Sequence, residues 1–189
     1  MNGKSIARAL PVLSASDPVE RLESLFDIHY GRLYRLARRL APSPDDALDL
    51  VQETFLKAAR FPNSIPTGTA NEEAWLVRVL INIRRDQWRK KSVRDRHDKI
   101  GVGGSHSETD GQDPEATLIA KSAVWEALNV LPPRRRAIVV LYELEGLAIP
   151  VISALLGISP ITVRWHLSMG RRDLARELKA YMGETNENH

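Results

Sequence analysis

The sequence predicts an all-α fold: two small helical domains joined by a flexible linker, the second containing a helix-turn-helix. Three observations carry this. Apolar residues recur at spacings of three, four and seven from Leu22 to Ala58, from Trp75 to Ile83, and from about Ala116 to Tyr181. No stretch alternates with period two for long enough to form a sheet. Between the helical parts, residues 100–115 hold Gly101, Gly103, Gly104, Ser105 and Ser107, then Glu108, Asp110, Asp113 and Glu115, with no Lys or Arg. That composition reads as a flexible acidic linker.

The elements follow in order. Residues 1–20 lack periodicity and read as a frayed tail. The first helix starts at Leu22, with Leu25, Phe26, Ile28 (less cleanly), Leu33, Leu36, Ala37 and Leu40 as its apolar set, and Pro42 and Pro44 stop it. Asp45 and Asp46 open the second helix at the positive end of its dipole, with Ala47, Leu48, Val51, Phe55 and Ala58 as its apolar set and Pro62 beyond its end. A loop with Pro66 and Gly68 leads to Asn71, the expected N-cap of a third helix carrying Trp75, Leu76, Val79, Leu80 and Ile83. Its tail is basic, with eight Lys or Arg against three acids from Arg84 to Lys99.

The motif with the clearest geometry spans residues 148–174. Pro150 is expected at the first position of a short helix burying Ile152, Leu155 and Leu156, where the missing N–H costs nothing. Gly157 supplies a left-handed turn, Ile158 plugs the corner, and Ser159 caps a second helix whose Pro160 fits the first turn. Val163, Leu167, Gly170 and Leu174 form one inward stripe. At about 100° per residue the opposite face carries Trp165, Ser168, Met169 and Arg172, with Arg164 and Arg171 on its flanks. A basic helix with a polar outward face suits the major groove, and the same pattern describes a solvated helical hairpin.

Composition narrows the function classes. The chain has 189 residues, 43% hydrophobic and 27% charged, enough for one globular domain or two small ones. Cysteine is absent, which excludes disulfide scaffolds, thiolate zinc sites and thiol catalysis and fits a reducing cytoplasm. Five scattered histidines give no metal-ligand spacing, and no glycine-rich phosphate loop is present, so neither an enzyme nor a cofactor is expected. The longest apolar stretch, Ala137 to Ile158, is interrupted by Glu143, Glu145, Gly146 and Pro150, so no membrane insertion is expected. Net charge is only +3; its distribution says more.

Two charge patterns stand out. Asp45, Asp46, Asp49 and Glu53 precede any Lys or Arg on the second helix, and Asp49, Gln52 and Glu53 lie within one turn. Such a face is either solvated or docks a basic protein surface. On the third helix, Asn82, Arg85, Asp86 and Arg89 share one side, with Trp75 and Trp88 nearby. Basic groups interleaved with aromatics suit single-stranded nucleic acid, while a basic solvated helix with core tryptophans is the plain alternative.

These features together resemble an extracytoplasmic-function (ECF) sigma factor of bacterial RNA polymerase, in the sigma-70 family. The resembling segments are Ala47–Ala58, Ala74–Asp86, Arg89–Lys91, Leu131–Arg136, Glu145-Gly146, Leu155–Ser159 and Thr162–Arg164. The resemblance implies a region 2 domain over 21–91, a linker over 92–115, a region 4 domain over 116–182 and a tail over 183–189. It further implies that Asp49, Gln52 and Glu53 grip the clamp helices of core RNA polymerase, and that Asn82, Arg85, Asp86 and Arg89 lie on the single-stranded −10 promoter element. The 63–71 loop would wall a pocket for a flipped base. Ser159, Thr162, Arg164, Trp165, Ser168, Arg171 and Arg172 would meet the duplex −35 element. An anti-sigma factor is implied as a further partner. A tether of 23 residues, 92–114, relaxes to roughly 26 Å, so the free chain is not expected to hold its domains at promoter spacing.

Departures from the family pattern fall in the second half. An acidic pair is usual where this chain has Pro150-Val151, Gly where it has Ile161, Ser-Arg where it has Trp165-His166, and Arg-Ala where it has Met169-Gly170. The −35 base contacts are therefore not transferable from relatives. A LuxR-like regulator also resembles residues 157–167 but leaves the 45–91 motifs unexplained. A sigma mimic that sequesters an anti-sigma factor could dispense with the polymerase-gripping and −10 residues, which this chain keeps.

Overall fold

The structure, a computed structural model, describes residues 18–98 and 115–187. All regular elements among the described residues are helical. Helix α1 (Pro18–Leu40) buries Leu25, His29, Leu33, Leu36, Ala37 and Leu40, a stripe at helical spacing. It begins at Pro18, within the segment expected as a tail. Helix α2 (Pro44–Arg60) also starts a residue earlier than expected. Ser43 is its N-cap, its Oγ accepting the Asp46 N–H at 3.1 Å, and Pro44 occupies the first turn where no donor is lost.

After a 3₁₀ turn (Pro62–Ser64), helix α3 (Thr69–Asp98) begins two residues before the cap expected at Asn71. Gly68 explains the shift. Its backbone takes φ +92°, a left-handed geometry that favours glycine, and its carbonyl accepts the N–H groups of both Asn71 and Glu72. The Asn71 side chain instead donates back to the Thr67 carbonyl. Helices α1, α2 and α3 pack together around Leu33, Leu50, Val51, Leu76 and Leu80.

The second half contains α4 (Glu115–Val130), α5 (Pro133–Val139), α6 (Ile149–Leu156) and α7 (Pro160–Glu187). Helix α5 runs on into a π-helical turn at Val140–Leu144. Pro150 is the second residue of α6 rather than its first, because Ala148 takes the extended cap position. Gly157, at φ +64°, makes the turn between α6 and α7, and Ser159 Oγ caps α7 by accepting the Thr162 N–H at 3.1 Å. Val163, Leu167 and Gly170 face inward as the stripe requires, with Leu174 partly buried. Helix α7 packs on α4, α5 and α6. The expected linker is helical at both ends, over 92–98 and at 115; residues 99–114 lie outside the described residues, as do 1–17 and 188–189.

The two halves are in contact. Helix α3 lies against α5 and α6, α1 touches α5, and one continuous apolar core includes residues of both halves.

Candidate functional site

Three surfaces gather the residues singled out by the sequence. The first is the outer face of α2, where Asp49, Gln52 and Glu53 are all exposed on neighbouring turns. Neither carboxylate makes an ion pair among the described residues. Beside them, α1 and α2 enclose a groove of about 630 Å³ lined by Leu22, Phe26, Tyr30, Val51, Phe55 and Leu56, with Gln52 on its wall. Phe26 stacks on Tyr30 at 4.7 Å and tilts against Phe55 at 4.9 Å, while both Phe26 and Leu56 remain exposed. The face thus offers charge and apolar area side by side, which suits a protein surface better than a phosphate backbone.

The second surface is the side of α3 away from its core stripe. Asn82 and Arg85 are half-buried, and Asp86 and Arg89 are exposed. Arg85 Nη2 lies 3.4 Å from Asp86 Oδ1, so one cation of the set is partly neutralised. Trp75 packs against the core; Trp88 is 40% exposed and available for stacking. The 63–71 loop, at the start of α3, is pinned by Arg21, whose Nη2 donates to the carbonyls of Ile65 at 2.9 Å and Pro66 at 3.3 Å. Glu72 sits 4.0 Å from Arg21 and 3.7 Å from the buried His29.

The third surface is the outer face of α7. Arg164, Trp165, Ser168 and Arg172 point outward and are exposed. Ser159 and Thr162 share a 2.8 Å hydroxyl contact at the helix start, so capping occupies both. Arg171 is tied back: its Nε donates to Glu143 Oε1 at 2.7 Å and its guanidinium lies 5.4 Å from the Tyr142 ring. Trp165 is 55% exposed yet carries the Arg135 guanidinium 5.8 Å from its ring centre. His166 is held below the usual histidine range, first by burial and then by the cations Arg134 and Arg135.

Four arginines that spacing did not reveal organise these surfaces. Arg21 fixes the loop. Arg84 donates from Nε to the Leu40 carbonyl at 3.1 Å, and burial lowers its pKa, partly opposed by Asp46. Arg136 is only 2% exposed, and burial followed by repulsion from Arg84 pushes it down to about 9. Arg78 reaches from α3 to α6, its Nε donating to the Leu155 carbonyl at 2.8 Å. Arg136 lies in the Pro-Pro-Arg-Arg-Arg run, which was visible in the sequence; nothing in the sequence signalled its burial.

No grouping of three or more His, Cys, Asp or Glu suited to a metal occurs among the described residues. No helix among them is long and apolar enough to cross a membrane.

Comparison with known proteins agrees with this geometry. Residues 25–94 match the family description "Sigma-70 region 2" and residues 121–174 match "Sigma-70, region 4". The chain is 34% identical over 163 residues to the ECF RNA polymerase sigma factor SigE of Mycolicibacterium smegmatis, covering 83% of this chain and 61% of that one. It is 31% identical over 156 residues to the ECF RNA polymerase sigma factor SigM of Mycobacterium tuberculosis, covering 82% of this chain and 76% of that one. Among solved structures, the sigma factor RpoE in complex with the anti-sigma factor NepR from Bartonella quintana superimposes with a TM-score of 0.66 at 26% identity, over 85% of this chain and 98% of that one.

Proposed function

The chain belongs to the sigma-70 family, in its extracytoplasmic-function branch, and from that membership we propose that it binds core RNA polymerase and directs promoter recognition and opening. It supplies specificity; the polymerase supplies the chemistry. The observation that carries this reading is the division of labour among three exposed helix faces in one chain. Helix α2 is acidic and adjoins an apolar groove, α3 is basic with an exposed tryptophan, and α7 is the second helix of a helix-turn-helix.

Residues 21–91 act as region 2, 116–182 as region 4, and 92–115 join them. Asp49, Gln52 and Glu53 engage basic groups on the clamp helices of the polymerase's largest subunit. Asn82, Arg85, Asp86 and Arg89 follow the −10 strand once it is single, with Trp88 placed to stack on a base. Arg164, Trp165, Ser168 and Arg172 meet the −35 duplex in its major groove, with Ser159 and Thr162 at the helix start and Arg171 at the flank. The Bartonella relative in complex with NepR supports an anti-sigma protein as a further partner. A regulator using only the helix-turn-helix would leave the α2 and α3 faces without a role.

Titration of labelled chain with purified core polymerase tests the reading. Saturable binding is expected, and its loss in the Asp49→Lys/Glu53→Lys double variant with helix content unchanged. Equal affinity of the variant for core would overturn the assignment of the α2 face.

A further inference from the structure

Ile161 and Trp165 stand four residues apart on α7, on successive turns of its outer face. They are 75% and 55% exposed, and Met169 continues the row half-buried. Where the family pattern has Gly, Ser and Arg, this chain has these three apolar residues, so the row is its own. The setting is cationic: residues 160–172 include Arg164, Arg171 and Arg172 and no Asp or Glu. The groove between α1 and α2 has the opposite setting, apolar area beside carboxylates. Apolar area among cations suits a polyanion that also shows apolar groups, and duplex DNA is one. In the major groove the thymine C5 methyl is an apolar mark that distinguishes its base pair from the others.

The Trp165 ring is braced although it is exposed. His166 meets it edge-on, with ring centres 4.8 Å apart at 70°. The Arg135 guanidinium of α5 lies 5.8 Å from its centre. Arg135 is itself fixed by an ion pair with Asp173, about two turns further along α7, and both of those side chains are mostly buried. Gly170 leaves room for this brace, since a Cβ there would stand 3.2 Å from Arg135 Cγ. An aromatic ring already held in place loses little freedom when it meets a partner.

Ile161 is the second residue of α7, and the first residues of a recognition helix are the ones that reach base edges. Four residues advance about 6 Å along a helix axis, and successive base pairs about 3.4 Å along the duplex. The pair Ile161 and Trp165 therefore spans about two base-pair steps. We propose that these two side chains read the C5 methyl groups of two thymines in the −35 duplex, and that Arg135, fixed by Asp173, is the positioning residue that aims the Trp165 ring. The proposal rests on the functional reading above and names the chemistry by which that same face chooses its sequence.

The test uses the full chain assembled with core polymerase and promoter duplex whose −35 element has been selected from a randomised library. Each thymine of that element, on either strand, is replaced in turn by deoxyuridine, which lacks only the methyl. Wild-type complex should bind about fourfold more weakly at each of two positions within about two base pairs of each other, the loss expected for one buried methyl. Trp165→Ala should abolish the penalty at one of them and Ile161→Ala at the other; both residues are exposed, so neither variant disturbs the core. Arg135→Gln should shrink the thymine-over-uracil ratio at the Trp165 position, and Arg135→Lys, which keeps a cation, should restore it. A merely structural Arg135 would weaken thymine and uracil duplexes alike, which would remove it as the positioning residue. Wild-type binding indifferent to every deoxyuridine, or penalties that persist in both alanine variants, would overturn the proposal. So would alanine variants that match wild type on every duplex, the result expected if the row docks a protein instead. A complex with no −35 preference at all would overturn the functional reading itself, and the proposal with it.

Discussion

Gly170 brings α7 against α5, and a single methyl group there has a calculable consequence. A Cβ on residue 170 would lie 2.5 Å from Val139 Cγ2 and 3.2 Å from Arg135 Cγ. Carbon atoms prefer separations near 3.5–4.0 Å, so Val139 or the helix must yield by about 1 Å. Arg135 can swing aside, but Val139 is 3% exposed and its χ1 is stiff. Overpacking of this kind costs about 1–3 kcal/mol, against roughly 1 kcal/mol gained by exchanging Gly for Ala inside a helix. Gly170→Ala should therefore be neutral to destabilising by about 2 kcal/mol. In a Val139→Ala background the obstructing methyl is gone, and the same substitution should stabilise by up to about 1 kcal/mol. Urea unfolding of the four chains in this cycle measures the coupling directly. A coupling below about 0.5 kcal/mol, or equal effects of Gly170→Ala in both backgrounds, would refute the idea that Gly170 sets the α5–α7 crossing and with it the aim of the recognition helix.

Other outcomes follow from the same structure. Arg85→Ala with Arg89→Ala should slow promoter melting, read by permanganate reactivity, more than it weakens closed-complex binding; the opposite pattern would mean the α3 face meets duplex. Either Arg164→Ala or Arg172→Ala should relax preference at one position of a randomised −35 library, since a bidentate Arg–guanine contact carries about 1–3 kcal/mol of discrimination, whereas uniform loss marks a phosphate contact. His166 should contribute a pH dependence of known sign. Burial and the neighbouring Arg134 and Arg135 favour its neutral form, so its folded pKa lies below the unfolded value of 6.5. The stability it contributes is complete above that value and falls as pH drops through it toward the folded pKa. His166→Gln should flatten the melting temperature between pH 7 and pH 5; an unchanged slope would remove His166 as its source.

Much of the fold was readable because helices announce themselves by local spacing. The inward stripe at Val163, Leu167 and Gly170, the left-handed turn at Gly157 and the Ser159 cap depend on residues within a few positions of each other, and all three appear in the structure. The start of α3 did not follow Asn71 because the decisive feature is the backbone of Gly68, where a positive φ aligns a carbonyl for two amides at once. The exposed faces of α2 and α7 were legible from the same periodicity. The inter-half arginines were not. Arg78 and Leu155 are 77 residues apart, and Arg136 and Arg39 are 97 apart. A basic run reads as solvated surface when only its sequence is seen, and a guanidinium that finds backbone carbonyls leaves no partner residue type to search for. Arg171 shows the converse: the helical wheel placed it toward the groove, and Glu143 holds it to the protein.

The most direct test of the central claim is run-off transcription by purified core polymerase on fragmented genomic DNA, with and without this chain, followed by mapping of start sites. The chain should create a discrete set of starts absent with core alone. Those starts should share one −10-like and one −35-like sequence at constant separation, and they should vanish with Asp49→Lys/Glu53→Lys. Starts indistinguishable from those of core alone, while the chain still binds core, would contradict the account.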